Sequence, residues 1–200
     1  MQRRSTTVFT LAGIVLIVAG VGFVSAADDT ETADDTPIAE GTLWEVKAVF
    51  PDGELLDVMA VGADDELYDV MAIENEENPY FLDVKAIVDG DLHDVKIVAS
   101  KDRYAPVMAL DIHGTNLDLR AVGAEGKQYD VKGIRRSGNI IRIRAIGVAR
   151  FHPLQAIAPD GRTYDVKGVK MMRQRVELVI GATQIHAHVK AFPPKAQGGE

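Results

Sequence analysis

The chain has no cysteine. That excludes disulfides, thiol catalysis, cysteine-ligated zinc and a lipid-modified cysteine, so any fold must be held by its core alone. Serine is almost as scarce: beyond residue 27 only Ser100 and Ser137 occur, and neither has the glycine-flanked setting of a nucleophile elbow. No glycine-rich phosphate loop is present, and no cofactor motif is found. Aromatic residues make up only 6% of the chain, with one tryptophan.

What is present begins with an apolar N-terminus. Arg3 and Arg4 precede a run from Val8 to Val24 that is broken only by Thr10 and glycines, and Val24-Ser25-Ala26 offers small residues. The pattern predicts a signal peptide or N-terminal anchor over residues 1–27. The positive end would stay inside, which places the rest in the periplasm or outside the cell, or anchored to the inner membrane and facing outward if the segment is not cleaved. Residues 28–40 are acidic and threonine-rich, a disordered linker too polar to fold by itself. A single domain over 41–192 and a flexible tail over 193–200 complete the organisation.

The net charge of −8 is unevenly spread. Residues 28–100 carry 21 acids against 3 bases, whereas residues 101–200 carry 9 acids against 17 bases. Such asymmetry suits head-to-tail self-association or a polyanion contact by the basic half. Arg135, Arg136, Arg142, Arg144 and Arg150 form the main basic cluster. Export argues against nucleic acid as its partner, and the preferred reading of the cluster is that it balances the acidic half.

Tetrads of the type Asp-Val-Lys-Ala recur along the whole domain. Their central aliphatic residues are Val46, Val58, Val70, Val84, Val95, Val107, Leu119, Val131, Ile143, Leu154, Val166, Leu178 and Val189, spaced by 11 to 14 residues. A register held this long is the signature of a repeat architecture. Each copy alternates with period two, so each is a strand. Trp44, Val46 and Ala48 share one face, and Glu45, Lys47 and Val49 the other. Pro51-Asp52-Gly53 and Pro159-Asp160-Gly161 predict type I turns followed by a left-handed glycine. Connections this short leave no room for crossover helices, so neighbouring strands should be antiparallel. Asp-Gly or Glu-Gly precedes Val58, Val95, Val131 and Val166, every third strand, which suggests four units of three strands with a closing strand at 188–192. Pro106 and Pro153, four strands apart, fit a four-strand period instead.

The expected fold is all-β: an antiparallel meander of about thirteen short strands in ~12-residue repeats. It should close into a soluble barrel or prism-like roll, with the aromatic, valine and alanine/glycine face inside. A β-propeller-like arrangement is the alternative. The opposite face carries Asp or Glu before each centre and often Lys after it, which suits cross-strand ion pairs that fix register.

Candidate sites are few. His186 and His188 project from one face of one strand, a spacing that can place two imidazoles on a metal ion. His93 and His152 occupy the aromatic position of their repeats and are expected inside, whereas His113 lies in a turn. Trp44, Tyr68, Tyr129 and Tyr164 lie on the expected core face, and only if exposed would they form a glycan-stacking platform.

The run of Asp-Val-Lys-Ala-Ile-type tetrads, ending in His186-Ala187-His188-Val189-Lys190-Ala191, resembles an uncharacterised family of exported bacterial proteins, a domain of unknown function. The resemblance implies bacterial export and brings no activity, cofactor or catalytic residue. The functional expectation is a non-enzymatic exported β-repeat module that binds or scaffolds an unknown envelope protein or polymer. It would touch the membrane only through an uncleaved N-terminal segment. A glycan-binding lectin-like domain, and a metal-binding protein or hydrolase using His186 and His188, are the alternatives.

Overall fold

A computed structural model describes residues 43–74, 79–111, 116–134, 138–170, 179–180 and 183–194. The expected export segment, the linker at 28–40, the centre at Leu178 and the last six residues lie outside them.

The described chain is all-β. Its strands are β1 (Leu43–Val49), β2 (Leu55–Val61), β3 (Leu67–Ile73), β4 (Leu82–Val88), β5 (Asp91–Val98), β6 (Tyr104–Leu110), β7 (Asn116–Val122), β8 (Gln128–Ile134), β9 (Ile140–Ile146), β10 (Phe151–Ile157), β11 (Thr163–Lys170), β12 (Val179–Ile180) and β13 (Thr183–Phe192). Every ladder is antiparallel, and from β1 to β11 each strand pairs with the next, as the short turns require. At both Pro-Asp-Gly turns the glycine takes the left-handed φ, +88° at Gly53 and +85° at Gly161. Its N–H donates back across the turn, to the Phe50 and Ala158 carbonyls respectively.

Consecutive pairing is only part of the arrangement. On one edge β1 pairs with β10 over residues 45–48. Its other edge is divided: residues 43–45 pair with β3, and residues 47–49 pair with β2. The change of partner falls at Val46, the aliphatic centre of the repeat. The two-residue β12 apart, each of the other twelve strands has three partners in the same way. These strands form four mutually paired triads: β1–β2–β3, β4–β5–β13, β6–β7–β8 and β9–β10–β11. Each triad is joined to each of the others by one longer ladder, namely β1–β10, β2–β7, β3–β4, β5–β6, β8–β9 and β11–β13. The connectivity is that of a truncated tetrahedron.

The expected closed antiparallel sheet is therefore present, ring-like, but it is not a regular barrel. In a barrel each strand has two neighbours; here the second edge of every long strand is shared between two. That sharing also leaves none of these strands with a wholly free edge for another chain to pair with. The strands do group by three, but not as four consecutive units with a thirteenth strand left to close them: β13 joins β4 and β5, which shifts the later groups to β6–β7–β8 and β9–β10–β11. Among the described residues no blade of a propeller is formed, because the three strands of a triad meet around a point rather than lying side by side.

The twelve described centres all point inward and are at most 3% exposed. Burial of each contributes on the order of 1.5–3 kcal/mol. Across the longer ladders each centre faces a residue two positions after another centre, which is nearly always alanine or glycine: Val46 faces Ala156, Ala48 faces Leu154, and Val131 faces Ala145. Small residues there let two strands meet over a narrow interior. Ile97 is the exception, facing Val107. Room for it comes from Gly133 and Gly168, where a Cβ would crowd the Ile97 side chain.

Candidate functional site

The residues before and after each centre point outward, and around each three-strand junction they form a ring of six. In register, the residue before one centre lies opposite the residue after another. This is the expected Asp–Lys arrangement. Lys47 meets Asp57, Lys85 meets Asp94, Arg120 meets Asp130 and Lys190 meets Asp83 as ion pairs across strands. The four rings differ in how completely acids and bases are matched.

Around the β6–β7–β8 junction, Asp118 and Asp130 are balanced by Arg120 and Lys132. The β4–β5–β13 ring holds Asp83, Lys85, Asp94, Lys96, His188 and Lys190. Lys96 is only 6% exposed; its ammonium lies 2.7 Å from Asp94 and 2.8 Å from Nδ1 of His188. Burial, followed by the neighbouring Lys96 charge, pushes His188 below the ordinary histidine value. Burial also pushes Lys96 and Lys190 down. For Asp94 burial acts upward, but hydrogen bonds from Lys85 and Lys96 more than reverse it and leave the carboxyl below its ordinary value.

This ring is where the structure places the histidine pair. His186 and His188 share the outer face of β13, as the spacing predicts. His188 takes part in the Lys96–Asp94 cluster, and among the described residues no group of three or more histidine, aspartate or glutamate side chains is placed to hold a metal ion. His93 and His152 are buried, as expected of residues at the aromatic position. His152 stacks on Phe50. Nδ1 of His93 has no hydrogen-bond partner among the described residues. His113 and Ser137 lie outside those residues, and Ser100 is engaged with Asp102 in a turn. Trp44 is buried, and Tyr68, Tyr129 and Tyr164 pack partly buried against the core, so these four rings line the interior.

The remaining two junctions are unbalanced. Around β1–β2–β3 stand Glu45, Asp57 and Asp69 with a single cation, Lys47, which holds both Glu45 (3.0 Å) and Asp57. The positions after the centres of β2 and β3 are methionines, so Asp69 faces Met59, and Glu45 faces Met71. The six residues and their centres enclose a shallow depression of about 260 Å³.

Around β9–β10–β11 the imbalance is reversed. The positions before the centres of β9 and β10 are Arg142 and Pro153 in place of acids. Arg144 therefore faces Pro153, and Arg142 lies directly opposite Lys167, a like-charge pair in register. Lys167 is held at 2.8 Å by Asp165, the only acid of this ring. For Arg142 no acid lies within ion-pair distance among the described residues. Arg144 donates a hydrogen bond to its neighbour's carbonyl, Ile143 O, at 2.7 Å. A concavity of about 820 Å³ opens here, lined by the apolar Ile140, Leu154, Pro153, Phe192 and Pro193 and by the three cations together with Asp165. Arg142 and Arg144 stand out in the sequence as a break in the repeat. Lys167 and Phe192 come to this site only through the ladders of β11 with β9 and β13.

Comparison with known protein families gives a match over most of the chain. Residues 40–192 fit a family of unknown function, DUF7486. The chain belongs to that family. The DUF7486 region takes in all thirteen strands, so the four junctions lie inside it, as do the residues lining the basic concavity apart from Pro193. No curated protein and no solved structure matches the chain.

Proposed function

We propose that the chain is an exported, non-enzymatic β module of the cell envelope that binds or scaffolds an anionic partner through the β9–β10–β11 face. One observation carries the reading: Arg142 and Lys167 are held opposite each other in register, with one acid for the three cations of the ring. Like charges directly opposed destabilise a sheet, so an arrangement of this kind is favourable once an anion is placed over it. The β4–β5–β13 and β6–β7–β8 rings speak for structure, since their charged residues are largely matched in pairs. Export rests on Arg3, Arg4 and the apolar run that follows them.

Binding of fluorescent poly-glutamate, followed by anisotropy at low salt, tests the reading. The chain should bind, and R142Q/R144Q should bind about tenfold more weakly or worse, whereas K101Q, which belongs neither to the ring nor to the lining of the concavity, should behave as the parent. Equal binding by all three proteins, or none by the parent, would overturn it.

A further inference from the structure

We infer that the partner of the basic face is a second copy of this chain, presenting its acidic β1–β2–β3 face, so that the molecules assemble head to tail. The inference rests on the reading just given and names the partner for the same site. The two faces have the same architecture and opposite defects. Each is a three-strand junction with six outward residues in the same register. The acidic ring has three carboxylates and one cation, because methionines stand where Lys47 has its counterparts; the basic ring has three cations and one carboxylate, because Arg142 and Pro153 stand where acids are expected. Carboxylates outnumber cations three to one in the first ring, and cations outnumber carboxylates three to one in the second.

The surroundings carry the same signs. Residues 43–74, which make the acidic junction and its turns, contain nine acids and one base. Residues 140–170, which make the basic junction and its turns, contain six bases and two acids. Opposed fields of this size steer two copies into one orientation and disfavour like-on-like contact. Met59 and Met71, half-buried on the acidic face, are adaptable apolar groups that suit the Ile140, Pro153 and Phe192 walls of the concavity. Because the two faces of one molecule differ, the contact is heterologous and propagates from copy to copy.

Sedimentation velocity on the purified protein tests this at about 0.01 M and 1 M salt, where the screening length is roughly 30 Å and 3 Å. The parent should show concentration-dependent assembly at low salt that dissolves at high salt. R142E/R144E makes the basic ring acidic, and E45K/D69K makes the acidic ring basic. Each variant alone should associate about tenfold more weakly or worse, and their equimolar mixture should regain assembly. Circular dichroism checks that both fold; if either does not, R142Q/R144Q and E45Q/D69N replace the pair, and each should again weaken association. A parent that stays monomeric at low salt while still binding poly-glutamate overturns self-assembly and leaves the proposed function standing. Loss of both bindings removes both. Unchanged association in the charge variants, or a mixture that stays apart, also overturns the inference.

Discussion

The side chain of Ile97 on β5 occupies the space that a side chain on Gly168 of β11 would need, although the two strands share no ladder. Gly133 yields to the same isoleucine, with Cδ1 of Ile97 3.2 Å from where its Cβ would stand. One large residue among small ones at the second position after the centre is thus accommodated by two glycines. Gly168→Ala should therefore destabilise the fold by about 1–3 kcal/mol through overpacking. Adding Ile97→Val should recover part of that loss. Urea unfolding of the single and double variants checks this, with non-additivity as the expected outcome.

Acid should weaken the fold in two steps. His188 lies below its ordinary value of 6.5, through burial and then the Lys96 charge, so the unfolded chain takes up a proton there that the folded chain resists. Stability should fall as the pH drops below about 6.5 and go on falling until the folded imidazole itself protonates. His152 is lowered too, by burial and Arg150 against Asp52, and adds to this step. Asp94, held below its ordinary 3.8, contributes stability at neutral pH that is lost as the pH falls through its folded value. Urea midpoints measured from about pH 7.5 to 3 should show both steps. His188→Gln should flatten the first step without removing it and leave the second in place.

Stability should reside at the junction centres rather than in the outer ion pairs. Leu154 is 2% exposed and sits where β10 changes partners, so Leu154→Ala should cost about 2–5 kcal/mol. Asp57 pairs with Lys47 on an open surface, and Asp57→Asn should cost less than about 1 kcal/mol. Chemical denaturation of the two variants measures the contrast.

The strand centres, their inward face and their antiparallel pairing can all be read from the period-two alternation and the turn residues. The grouping by three is visible in the Asp-Gly or Glu-Gly steps before Val58, Val95, Val131 and Val166, and each of those strands falls in a different triad. The longer ladders cannot be read that way. A 12-residue repeat labels every strand alike, so nothing in it says that β2 meets β7 or that β11 meets β13. The site divides along the same line. Arg142 and Arg144 interrupt the pattern openly, whereas Lys167 is an ordinary repeat lysine until the β9–β11 ladder sets it against Arg142. Lys96 and His188, 92 residues apart, likewise meet only because β13 closes the β4–β5 triad.

The central claim is that each strand but the two-residue β12 serves three neighbours and changes partner at its aliphatic centre, which is what creates the four charged faces. β1 tests it directly, since a chain without cysteine allows clean engineered cross-links. The pairs E45C/M71C, K47C/D57C and K47C/Q155C report its contacts with β3, β2 and β10. All three variants should form their disulfide rapidly under mild oxidation, as read by mass spectrometry, while retaining the parent's circular dichroism spectrum. A strand with two neighbours allows only two of them, and failure of the third in a folded variant would contradict the account.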